Sequence, residues 1–313
     1  MKASFLLACS IIILAACQKE KKSTAAALKM QEFIIGISDY ARSIDSDFII
    51  VPQNGEALAY TNANPDGELN LNFLNSIDGF GVEEIFYNGD LSIDTYRLQM
   101  LQEISATKKV MVSEYLLDNN NVADAINRNY NEGFLCFPRV SSNYDYVLIP
   151  DSVIQENSNP ILQLSDAQNY LYLISNSNYS TKQEMIDAIA ATNFDVIIID
   201  AFFEEDIFTA SEIAQLKTKS NGAQRLVLAY MSVGSAENYR YYWQEKWRLH
   251  KPNWLKKKYD GYKDEIWVEY WNQEWKDIIY GNDNSYIKKI IDAGFDGTYL
   301  DNVEAYYFLY YKN

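Results

Sequence analysis

Residues 293–306 read AGFDGTYLDNVEAY: a helix end gives way to a Gly-punctuated strand that stops on two polar residues, Asp301 and Asn302. In parallel α/β barrels reactive side chains gather at the carboxyl ends of strands, so Asp301 is a candidate functional acid. Its bland reading is a cap for the next helix. The same pattern recurs upstream. Runs such as VIIIDAFF (196–203) and LVLAYMSV (226–233) suit strands buried on both faces of a parallel sheet. Strands are expected at 48–52, 79–83, 109–114, 134–139, 170–174, 195–200, 225–232 and 297–301. Helical patterns lie between them, for example at 95–106, 122–131, 180–192, 209–220 and 285–293. Ser180 or Thr181 followed by Glu184 has the form of a helix-start cap.

Eight such repeats predict an α/β chain folded as a single-domain (β/α)8 TIM barrel, with an open doubly wound sheet as the alternative. The connection between strands 7 and 8, residues 234–294, is long. It holds all six Trp and the basic cluster Lys256-Lys257-Lys258. Such a loop is expected to wall a cleft, or else to cap the barrel with its Trp packed on helices.

The chain opens with Lys2, an apolar run at 5–16 and then Cys17. The run has signal-peptide length and is too short to span a bilayer. Leu14-Ala15-Ala16-Cys17 resembles a bacterial lipobox, which implies cleavage after residue 16 and acylation of Cys17; a plain secretory signal is the alternative. The expected organisation is a signal at 1–16, a lipidated Cys and polar tether at 17–32, and the barrel at 33–313, in an exported, membrane-anchored bacterial lipoprotein. Cys9 then leaves with the signal, so Cys136, in the apolar run FLCF, has no disulfide partner and reads as a buried small hydrophobe.

A net charge of −16 disfavours nucleic acid and favours neutral or cationic partners. A single His, His250, excludes an HExxH zinc motif and His clusters, and no phosphate-cradling Gly loop follows a strand. No cofactor is expected. Acid–base work falls to carboxylates.

The strand ends bring Gln53, Asn54 and Glu56, then Glu83, Glu114, Asp200 and Asp301, to one rim, with Glu237 just past the Gly234 turn. Clustered carboxylates repel one another, which is usually tolerated only at a functional or metal site. Carboxylate pairs perform glycosidic cleavage, one acid protonating the leaving oxygen while the other attacks carbon or activates water. Asn54, Asn302 and Tyr230 suit sugar hydroxyls, and aromatic faces such as Trp271 suit the apolar side of a sugar ring. A Mg²⁺ or Ca²⁺ site is the minor alternative, without a DxDxDG loop to support it.

LVLAYMSVGSAENYRYYW, WVEYWNQEW and AGFDGTYLDNVEAY, with NFDVIIIDAFF, DFIIVPQNGEAL and IDGFGVEEIFYNGD, resemble the bacterial and archaeal branch of glycoside hydrolase family 114. That resemblance implies a (β/α)8 barrel and endo-α-1,4-polygalactosaminidase activity on a cationic amino-sugar polymer. The PQN and VE blocks here precede the others, which implies a circular permutation. The resemblance makes Asp301 the nucleophile and Glu83 the acid/base, with Glu84 as alternative should the register shift by one. Asp200 and Glu237 match further acidic positions. LYLISN at 171–176 departs from an expected Gln-containing strand end. A non-catalytic glycan-binding lipoprotein on the same barrel remains the alternative function.

Overall fold

The computed structural model describes residues 2–140, 144 and 146–311, with side chains from residue 18 onward. Strands stand at all eight expected places: β1 Ile49–Pro52, β2 Gly79–Leu91, β3 Lys109–Leu116, β4 Leu135–Arg139, β5 Tyr170–Leu173, β6 Val196–Asp200, β7 Leu226–Ser232 and β8 Gly297–Asp301. The interiors of β6 and β7 are buried almost throughout, which is why β-branched and aliphatic residues run without alternation there.

One parallel sheet has the order β1-β8-β7-β6-β5 and a second has the order β2-β3-β4. A parallel bridge between Gln53 and Gly81 joins them, and the Asn54 N–H donates to the Gly81 carbonyl at 2.7 Å. The strands therefore follow one another cyclically, with β8 beside β1. Among the described residues no ladder joins β4 to β5. There the rings of Phe137 and Tyr170 pack with centroids 5.7 Å apart. The result is a single α/β domain of parallel sheets.

Local signals set the helix ends. Thr181 accepts from the Glu184 N–H, and Thr209 and Glu212 form a reciprocal capping box. β2 runs past its expected end: its register against β3 shifts between Glu83 and Asn88, and Glu84 has a left-handed backbone with φ 61°.

Residues 18–32, expected to be a polar tether, belong instead to the helix Lys2–Ile44. Ala26, Ala27, Met30, Phe33, Ile34, Ile37 and Ala41 are buried, a three- and four-residue spacing that gives one apolar face. Ser23 Oγ donates to the Tyr306 carbonyl at 3.0 Å, and Tyr270 Oη donates to the Ala26 carbonyl at 2.6 Å. The folded unit thus includes residues from Ser23 onward, and this part of the helix lies beside the short helix Ala305–Phe308 that follows β8. The side chain of Cys17 lies outside the described residues. No described helix is long and apolar enough to cross a membrane.

The long insertion builds a small antiparallel sheet from Ser235–Glu237, Glu265–Val268 and Leu255–Lys258. Its Trp residues are packing elements. Trp254, Trp267 and Trp275 are fully buried, and Trp243, Trp247, Trp254 and Trp275 form a chain of ring contacts. Cys136 is free and buried, and burial pushes its thiol well above the usual range, as suits an inert side chain.

Candidate active site

The carboxyl ends of the strands open into one cavity of about 750 Å³. Asp301, the last residue of β8, sits on its floor. Tyr230 Oη donates to Asp301 Oδ2 at 2.5 Å, and the Asn302 N–H donates to Oδ1 at 2.7 Å. Burial pushes the Asp301 carboxyl up to about 7; the Tyr230 hydrogen bond opposes that rise and the Glu83 charge adds to it. Burial also lifts the Tyr230 phenol well above its usual range, so Tyr230 keeps its proton and stays a donor.

Glu83 faces the same cavity from β2. Tyr146 Oη donates to its Oε1, Asn54 Nδ2 donates to its Oε2 at 3.4 Å, and Arg139 Nη2 stands 3.8 Å from Oε1. Glu84 is bound to Arg139 at 2.7 Å and does not line the cavity. Neighbouring strand residues face opposite ways, and the register that offers Glu83 to the cavity is the one the fold adopts.

A second carboxylate group lines the same cavity. Arg240 grips Asp200 with two bonds, Nη1 to Oδ1 at 2.8 Å and Nη2 to Oδ2 at 2.6 Å. Its Nε also donates to Glu237 at 2.8 Å, and Tyr239 Oη donates to Glu237 at 2.5 Å. Such bidentate pairing keeps buried acids in place. Glu265 lies directly across the antiparallel ladder from Glu237. Burial and the charge of Glu237 push its carboxyl above the usual range, while the Ser235 hydroxyl donates to it.

Compared with known protein families, residues 150–313 match the profile of glycoside-hydrolase family GH114, just over half of the chain. The chain belongs to family GH114. Asp200, Tyr230, Glu237, Arg240, Glu265, Asp301 and Asn302 fall within the matched part, whereas Gln53, Asn54 and Glu83 lie before it. Among curated proteins, this GH114 chain is 36% identical over 153 residues to the uncharacterized protein MJ1477 of Methanocaldococcus jannaschii, covering 46% of this chain and 42% of that protein. It is 31% identical over 139 residues to an uncharacterized protein of Thermotoga maritima, covering 44% of this chain and 39% of that one. An uncharacterized protein of Deinococcus radiodurans is 32% identical over 124 residues, covering 40% and 38%. The matches span about two fifths of these relatives' lengths.

Of the residues expected at the GH114 site, Gln53, Asn54, Glu83, Asp200, Tyr230, Glu237, Asp301 and Asn302 line the cavity. Several have their polar groups engaged already. Gln53 Oε1 accepts from Tyr172 Oη at 2.7 Å, and Asn302 Nδ2 donates to the Ser232 and Ser235 hydroxyls.

Three expectations are corrected. Glu114 is fully buried and takes the N–H groups of Phe86 and Tyr87 and the amide of Asn129. It braces the extension of β2 on the side away from the cavity. Trp271 lies against the N-terminal helix, with Lys29 Nζ 4.2 Å from its ring centre, and does not reach the cavity. Glu56 is bound to Arg97 at 2.6 Å and does not line the cavity either.

The insertion does form a wall, but through Tyr239, Tyr259 and Tyr262 rather than Trp. Arg240, Glu265, Glu304 and Tyr146 also line the cavity and were not expected. Arg240 was within reach of the sequence, three residues past Glu237 in SAENYR. Glu265 and Tyr146 gave no such signal, because neither stands at the carboxyl end of a parallel strand.

Proposed function

We propose that the protein is a retaining glycoside hydrolase acting on an α-linked, galactosamine-containing polysaccharide. The observation that carries this reading is the meeting of Asp301 and Glu83, from opposite ends of the polypeptide, in one cavity flanked by Tyr rings. Asp301 Oδ attacks the anomeric carbon as the glycosidic C–O bond breaks, and Glu83 gives its proton to the leaving oxygen. Glu83 then takes a proton from water, whose oxygen displaces Asp301 and frees the sugar with its configuration retained. Among the described residues lining the cavity, nine are Asp or Glu and one, Arg240, is cationic. That balance favours a substrate bearing ammonium groups.

The test incubates the full chain with α-1,4-galactosamine polymer and looks for new reducing ends. Binding without product would favour the glycan-binding alternative. Glu83→Gln should lower polymer cleavage by about 10²–10⁴-fold yet retain far more activity on aryl α-galactosaminides whose phenols leave without protonation. Equal losses on both substrates would remove Glu83 from the acid role.

The strand order and the contact of Ser23 with Tyr306 support reading the two sheets as one circularly permuted (β/α)8 barrel with its seam between β4 and β5. The lipobox-like residues 14–17 support export and acylation at Cys17. Cys17→Ser should then release the protein from the membrane fraction, and unchanged membrane retention would refute acylation.

A further inference from the structure

The turn after β8 carries an acid for which the reaction above has no use. Asn302 has φ 62°, and this kink turns the chain so that Glu304, three residues beyond Asp301, faces the same cavity. Four other acids of the cavity each have a carboxylate oxygen engaged: Asp301 by Tyr230, Glu83 by Tyr146, Glu237 by Arg240 and Glu265 by Ser235. Among the described residues, no hydrogen bond or ion pair reaches the Glu304 carboxyl, which feels Arg97, Glu56, Glu83 and Asp301 only through their charges. Arg97 is spent elsewhere, donating to Glu56 Oε1, Asn54 Oδ1 and the Glu83 carbonyl.

Burial lifts the Glu304 carboxyl to about 7, against the pull of Arg97 and with the push of Glu56, Glu83 and Asp301. Glu304 is only partly buried, so its carboxyl can be reached from the cavity by a donor that arrives with a ligand.

We propose that Glu304 is a substrate-contacting residue whose carboxyl accepts a hydrogen bond from a ring hydroxyl or ammonium of the sugar seated against Asp301. This rests on the glycosidase reading and deepens it: Glu304 binds the reacting sugar, while Glu83 handles the proton of the leaving group.

The experiment measures binding of α-1,4-galactosamine oligomers and of their N-acetylated counterparts to full-length Asp301→Asn protein, with and without Glu304→Gln or Glu304→Ala. Adding Glu304→Ala should weaken binding by about tenfold or more. The isosteric Glu304→Gln guards against a folding defect. A larger loss for the free-amine oligomer identifies an ammonium partner, and equal losses identify a hydroxyl; either supports the contact. Unchanged affinity for both oligomers in both Glu304 variants overturns it. In the otherwise native enzyme, Glu304→Gln should raise KM without altering the dependence on leaving group, and an altered dependence overturns the binding role. If the Asp301→Asn protein with Glu304 intact binds neither oligomer, the glycosidase reading itself fails and this inference falls with it.

Discussion

Asp301→Asn should reduce hydrolysis by about 10⁴-fold or more, as loss of a nucleophile does elsewhere, while raising stability above neutral pH. The two effects have one cause. The native fold lifts the Asp301 carboxyl to about 7, whereas a free Asp titrates near 4. Between those values the folded chain holds a proton that the unfolded chain has released, so stability falls as pH rises through this window. Below it both states are protonated and the penalty is absent. Above it the penalty is complete. Asn carries no charge at any pH, so the variant should lose this part of the pH slope and melt higher than the parent at pH 8. Catalysis runs the other way: a nucleophile must be ionised, so kcat/KM of the parent should climb as pH rises through about 7. Thermal melts at pH 5 and pH 8, together with the pH–rate profile, check both halves. An active Asn variant would end the nucleophile assignment.

Gly234→Ala should be the most damaging single methyl in the site, with a loss of about 3 kcal/mol or more and little remaining activity. A Cβ at Gly234 would lie 1.8 Å from the Asn302 carbonyl oxygen and 2.7 Å from Ala305 Cβ. Backbone cannot rotate away as a flexible side chain can. The Gly234 carbonyl also accepts the Val268 N–H at 3.0 Å, so retreat from Asn302 would strain the antiparallel sheet of the insertion. Advance on the other side would move the turn that carries Asp301 and Glu304. Gly133→Ala is the comparison. Its Cβ would meet nothing within 4 Å, and only its left-handed backbone (φ 78°) is disfavoured, at about 1–2 kcal/mol. Chemical denaturation of both variants separates steric from conformational loss. Equal stabilities would show that the two turns can part freely.

The eight strands were legible because strands buried on both faces need uninterrupted apolar residues, and VIIIDAFF and LVLAYMSV announce that directly. Strand-end position then picked out Asp301, Glu83 and Asp200, each of which lines the cavity. The same rule misplaced Glu114, because position along a strand does not say which face a side chain takes, and β2 extends beside it to supply its N–H partners. Residues 18–32 misled through their Lys and Ala content, although the spacing of Ala26, Met30, Phe33 and Ile37 already marked a packed face. The walls of the cleft were hidden for a different reason. Tyr146 and Glu265 reach it from an irregular segment and a short antiparallel ladder, where tertiary packing rather than periodicity decides direction.

All six indoles of this chain lie between positions 243 and 275, within the segment that also carries Tyr259, Tyr262 and Glu265 into the cavity. Light absorbed by tryptophan alone therefore interrogates a single stretch of the polypeptide, without dyes or engineered probes. Emission that changes while backbone dichroism holds steady marks rearrangement of that stretch or of the segments packed on its indoles, which makes the native fluorophores a local optical gauge rather than a reporter on the whole molecule.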